Sequence, residues 1–99
     1  MIISIFQKAG STAENKDIAR NIRQELLMPE LAKGEKVILD FDRVDSATQS
    51  FIHALISEAL RQYGDSALES ITFHKCNNTI KQIIGIVVDY MQAGIGKKQ

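Results

Sequence analysis

Asp40, Asp42 and Asp45 stand close together directly after the apolar run Val37-Ile38-Leu39. Three carboxylates so spaced offer hard oxygen ligands for a cation such as magnesium. The carboxyl ends of strands are also where open α/β sheets bind ligands. A plainer role suits the same residues: Asp40 caps the loop that follows, and Asp42 and Asp45 stay in water. The plainer role is the expectation. A phospho-receiver site would need an acidic pair after the first strand, where this chain has Gln7-Lys8-Ala9.

His53, His74 and Cys76 are the soft-ligand types, and His74-Lys75-Cys76 brings two of them together. A structural zinc takes four ligands, usually in closely spaced pairs, and no CxxC or HxxxH is present. No metal and no cofactor is expected. Cys76 reads as a small buried hydrophobe at a strand end, with no activating partner to make it a nucleophile. Gly94-Ile95-Gly96-Lys97-Lys98 has the look of a phosphate loop. Such a loop joins a strand to a helix, and here the sequence ends, so no such role is expected. Gly10-Ser11-Thr12 offers free amides at a helix start, for which capping is the simpler use. Ser46, Thr48 and Ser50 place hydroxyls at another helix start, where a phosphate would be favoured by the dipole. Ser46 with Gln49 matches a capping box.

The elements that must position these residues follow from hydrophobic period. Ile2 to Phe6 reads as a strand ending in a polar turn at Gly10. Ser11-Thr12-Ala13-Glu14 matches a second capping box, opening a helix on Ile18, Ile22 and Leu26 that Pro29 should stop. Val37 to Phe41 has no helical period and suits a central strand flanked by others or covered on both faces. Phe51, Ile52, Leu55, Ile56, Ala59 and Leu60 predict a helix to Tyr63, with Gly64 as its stop. Ile71-Thr72-Phe73 alternates as a short strand. Asn77 or Asn78 should cap a last helix on Ile80, Ile83, Ile84, Val87, Val88 and Met91, ended by Gly94.

The order βαβαβα predicts an α/β fold of two or three layers with a mostly parallel sheet. Three strands leave edges that need covering. The whole chain, residues 1–99, reads as a single domain, since nothing in it resembles a linker or a repeat. Twelve basic and twelve acidic residues cancel, so no net field recruits nucleic acid or an anionic membrane. Lys97 and Lys98 form a small basic tail, read as solvated. A lone cysteine, no basic leader and no long apolar run together predict a cytoplasmic protein.

The stretch Val37-Ile38-Leu39-Asp40-Phe41-Asp42-Arg43-Val44, with Gln49-Ser50-Phe51 opening the next helix, resembles the core of STAS domains. These are the sulphate-transporter and anti-sigma-factor-antagonist modules. The chain is most similar to the bacterial STAS-like family of unknown function, over a core of residues 36–91. Ser70-Ile71-Thr72-Phe73, the Asn77-Asn78 turn and the closing helix fit that family too. In the antagonists, a kinase partner of the histidine-kinase-type ATPase class phosphorylates a serine in the turn before the helix. Aligned with their Asp-Ser-Ser-Gly pattern, Thr48 stands for the aspartate and Gln49 for the phosphorylated serine. Ser50 matches the second serine, and Phe51 stands for the glycine.

The resemblance implies a non-catalytic, regulatory protein-interaction module docking such an ATPase. Its switch turn would comprise Asp42, Asp45, Thr48, Gln49, Ser50 and Phe51, with Ser50 and then Thr48 as the available phosphoacceptors. An exposed apolar patch near Phe51 would mark the surface. The alternative is a small ligand- or metal-binding enzyme domain using an Asp40, Asp42, Asp45 cleft. A structural subunit that forms a homodimer through its sheet edge is the third possibility.

Overall fold

The computed structural model describes residues 1–96, with side chains to Ala93. In chain order, β1 (Ile2–Ser4) runs straight into a short helix, α1 (Ile5–Ala9). Next come β2 (Thr12–Ala13), α2 (Lys16–Ile22), a π-helical turn (Arg23–Leu27) and α3 (Met28–Ala32). The second half holds β3 (Val37–Asp40), β4 (Ser46–Ala47), α4 (Gln49–Tyr63), α5 (Asp65–Ser70), β5 (Ile71–His74) and α6 (Asn78–Gly96). The fold is α/β. Its main sheet has the order β1-β3-β5 with both pairings parallel, and β2 pairs β4, also parallel, in a second small sheet.

The apolar run is central, as its composition requires. Leu39 pairs with Ile3 on one side and Phe73 on the other. Its faces are unequal, however. Val37, Leu39 and Ile71 are buried beneath the helices, whereas the row Ile2, Ile38, Thr72 lies on the other face with Ile2 and Thr72 exposed. The sheet is therefore covered on one side only, and the fold has two layers. An apolar Ile38 on the open face is what made the run read as buried on both sides.

The helices build the rest of the core. Phe51, Ile52, Leu55, Ile56, Ala59 and Leu60 of α4 are all buried, as are Ile80, Ile84, Val87 and Met91 of α6. The most extensive helix contacts run α4 to α6 and α2 to α4, so α4 is the hub of the helical layer.

Several local expectations are corrected. The first strand stops at Ser4, whose side chain accepts from Gln7 N and so caps α1, which takes in Ile5 and Phe6. The Ser11/Glu14 box does not form. Asn15 caps α2 instead, its Oδ1 accepting from Asp17 N at 2.8 Å and Ile18 N at 3.3 Å, while β2 consumes Thr12 and Ala13. Pro29 does not stop the helical path. A wide turn with Met28 N bonded to Arg23 O precedes it, and Pro29 then sits in the first turn of α3. Proline is tolerated in a first helical turn. Gly64 does end α4, at φ 61°, but a further short helix, α5, follows at once. Gly94 does not end α6, which continues to Gly96. Lys97 and Lys98 lie outside the described residues.

Gly64 holds φ 61° and ψ −136°, a region that side chains with a Cβ avoid. Gly64→Ala should therefore destabilise the protein by about 1–3 kcal/mol through backbone strain. Leu39→Ala should cost about 2–5 kcal/mol through a core cavity. Urea unfolding of both variants beside the parent measures each value.

Candidate functional site

Asp40 ends β3 between Ser4 and His74. Its Oδ1 accepts the Asp42 amide at 3.0 Å, closing the loop on itself. The capping role read from the sequence is thus the observed one. Exposed His74 approaches the same oxygen only to 3.9 Å. A shallow cleft of about 270 Å³ lies at these strand ends, lined by Ser4, Phe6, Gln7, Asp40, Asp42 and Arg43. Arg43 adopts φ 73°, and its guanidinium stands 5.6 Å from the Phe6 ring centroid, within cation–π range. Asp45 does not line this cleft, so the structure does not gather the three aspartates into one site. Among the described residues no group of three or more His, Cys, Asp or Glu is disposed to hold a metal ion.

The turn from Asp42 to Ser50 is held by its backbone. Val44 N donates to Phe41 O at 3.0 Å, and Asp45 N to Ser11 O at 2.8 Å. Thr48 N donates to Ala13 O at 2.9 Å, and Asn77 Nδ2 donates to Asp45 O at 2.8 Å. Four anchors leave the side chains of Asp42, Asp45, Thr48, Gln49 and Ser50 exposed on a fixed frame. Thr48 is the cap of α4, its Oγ1 accepting Phe51 N at 3.0 Å. Ser46 lies in β4 and does not cap the helix with Gln49.

Phe51 is wholly buried. Its place in a partner-facing surface is corrected: the ring anchors α4 in the core. Exposed large apolar side chains occur instead at Met1, Ile2, Ile86 and Tyr90.

One feature escaped the sequence reading. A larger cleft of about 530 Å³ opens between α2, α4 and α6. Lys16, Arg20 and Arg23 line one wall, Ser50, His53 and Ser57 another, and Tyr90 a third. The signal was available, because positions 16, 20 and 23 recur at helical spacing on one face. Summing the charge to zero concealed it.

Cys76 lies just past the end of β5, near where it was expected, but is half-buried rather than buried. Burial pushes its thiol above the ordinary cysteine range, partly offset by the nearby charge of Lys81, with Asp40 adding a smaller upward push. Such a thiol is a poor nucleophile near neutral pH.

The fold agrees with the α/β class that the sequence suggested. The family model described as a STAS-like domain of unknown function matches residues 19–81. The chain belongs to that family. Comparison with curated proteins and with solved structures returned no match.

Two outcomes follow from this geometry. Asn77 caps α6 through Ile80 N at 2.9 Å while its amide holds Asp45 O. Asn77→Ala should cost about 1–2 kcal/mol, and Asn77→Asp less, because the aspartate keeps the cap and loses only the second bond. Thermal unfolding of the pair checks the order. Cys76 should alkylate with iodoacetamide more slowly than glutathione at pH 8. Its rate should continue to climb at a pH where that of glutathione has levelled.

Proposed function

We propose that this chain is a non-catalytic regulatory module that docks a protein partner through the turn from Asp42 to Ser50. The observation that carries the reading is the combination of family and frame. In a STAS-like domain, the turn before α4 is pinned at several backbone points, yet it presents Asp42, Asp45, Thr48, Gln49 and Ser50 to solvent. A docking surface benefits from such rigidity, since little ordering is left to do on binding. The partner class favoured by the resemblance is a histidine-kinase-type ATPase in the same cytoplasmic compartment.

Ser50 is the favoured phosphoacceptor and Thr48 the second. Ser50 is exposed in the first turn of α4, a turn with no acidic residue. Added phosphate would therefore meet the positive end of a long helix. A dianion there would also change the charge that a docked partner meets. Thr48 is a weaker acceptor, because its hydroxyl oxygen already serves the cap.

The rival reading, an enzyme or metal site on Asp40, Asp42 and Asp45, has less support. Asp40 is engaged by the loop amide, and Asp45 lies outside the strand-end cleft.

Ser50→Asp and Thr48→Asp test the proposal. Aspartate caps helices well at position 48, and an acid in the first turn at position 50 suits the helix dipole, so both variants should unfold at close to the parent temperature. Both should lose the partner recovered by pull-down with the parent chain, seen as at least a tenfold weaker titration. If both bind as tightly as the parent, and Asp42→Ala and Gln49→Ala do as well, the docking surface lies elsewhere.

A further inference from the structure

The cleft between α2, α4 and α6 has a chemistry of its own, although Gln49 and Ser50 of the turn also line it. We propose that it binds a small phosphate monoester carrying an aromatic ring. Lys16, Arg20 and Arg23 take the phosphate, and Tyr90 with His53 takes the ring.

Charge is the first support. Among the described residues, the cleft's lining holds three cations and no carboxylate. Arg20 pairs with Asp17 in the preceding turn, but both are exposed, and a pair of that kind is worth little. A dianion competes with it readily. Arg23 is half-buried, and its Nη1 donates to the Ala54 carbonyl of α4 at 3.1 Å. One contact thus fixes the guanidinium while its other N–H groups remain to grip oxygen, the preorganisation that favours arginine at phosphates. The π-helical turn begins at this residue, and such turns recur at functional sites.

The floor and the far wall supply the rest. Ser57 is the single polar side chain among the buried residues described, 4% exposed, and it faces this cleft. Tyr90 is 69% exposed, a large ring left in water. It stands 6.5 Å from the His53 ring, tilted by 58°, and offers a flat face beside the cations. A volume of about 530 Å³ suits a small organic ligand. Helices border the cleft on three sides and leave it open to solvent.

The test uses the whole chain, without any partner, so its outcome is separate from that of the docking surface. Phenyl phosphate, inorganic phosphate, benzyl alcohol and hexaglutamate are titrated at low salt and followed by amide NMR shifts. Phenyl phosphate should move the signals of Ser50, His53, Ser57 and Tyr90 and bind more tightly than inorganic phosphate. Benzyl alcohol should not bind measurably. Arg20→Gln should weaken phenyl phosphate about tenfold, the cost expected for one charge-assisted contact. Tyr90→Ala should abolish the advantage of phenyl phosphate over inorganic phosphate. The proposal is overturned if those four signals stay fixed. It is equally overturned if a Lys16→Gln, Arg20→Gln double variant binds as the parent does, or if hexaglutamate binds more tightly than phenyl phosphate and marks a peptide surface.

Discussion

The placement of β3 between β1 and β5 is the constraint on which the remaining structure depends. Val37, Leu39 and Phe41 lose all contact with water, and each buried side chain of that size contributes roughly 1.5–3 kcal/mol. Both edges of this strand are used by parallel partners, which fixes the register of β1 and β5. The carboxyl end of β3 is thereby brought beside Ser4 and His74. The turn that leaves it leads through β4 to α4.

That turn would be a free loop without a second set of contacts. Phe41 N donates to His74 O at 2.8 Å just beyond the strand, carrying the main ladder one residue further. The short β2–β4 pairing then catches the chain at Ser46 and Ala47. Asn77 closes the frame from the other side while capping α6. Each such bond contributes about 1 kcal/mol net, yet their effect on geometry is larger than that figure suggests. They join segments distant in sequence, so the turn cannot move without disturbing β2 and the start of α6 together. Rigidity at the turn is a property of the whole fold.

The long-range order of elements was legible because hydrophobic period survives without tertiary information. The stripes of α4 and α6 and the central strand read directly, and the cap of α6 was narrowed to Asn77 or Asn78. What failed was local and had a common cause: two signals competed and the sequence does not say which wins. Ser11 and Asn15 could both cap α2, and β pairing of Thr12 and Ala13 settled the matter. Pro29 could stop a helix or begin a new turn, and the π-helical widening before it permitted the second. Phe51 is the instructive case at the site. Its position beside Ser50 suggested a surface role, but helical geometry turns adjacent residues about 100° apart, so Ser50 faces water while Phe51 enters the core.

The electrostatics make the same point about position against composition. A chain of zero formal net charge separates its charges in space. Asp40 and Asp42 lie at the strand ends, whereas Lys16, Arg20 and Arg23 line the cleft beside α4. The exposed segment from Asp42 to Ser50 runs from the first group to the second. Interactions over this range are only partly screened at physiological salt, where the Debye length is about 8 Å. A charge added at Ser50 would therefore act mainly on the basic cleft. One added near Asp42 would act mainly on the strand ends, where Arg43 stands beside Asp40 and Asp42, so the turn's two ends have different electrostatic surroundings.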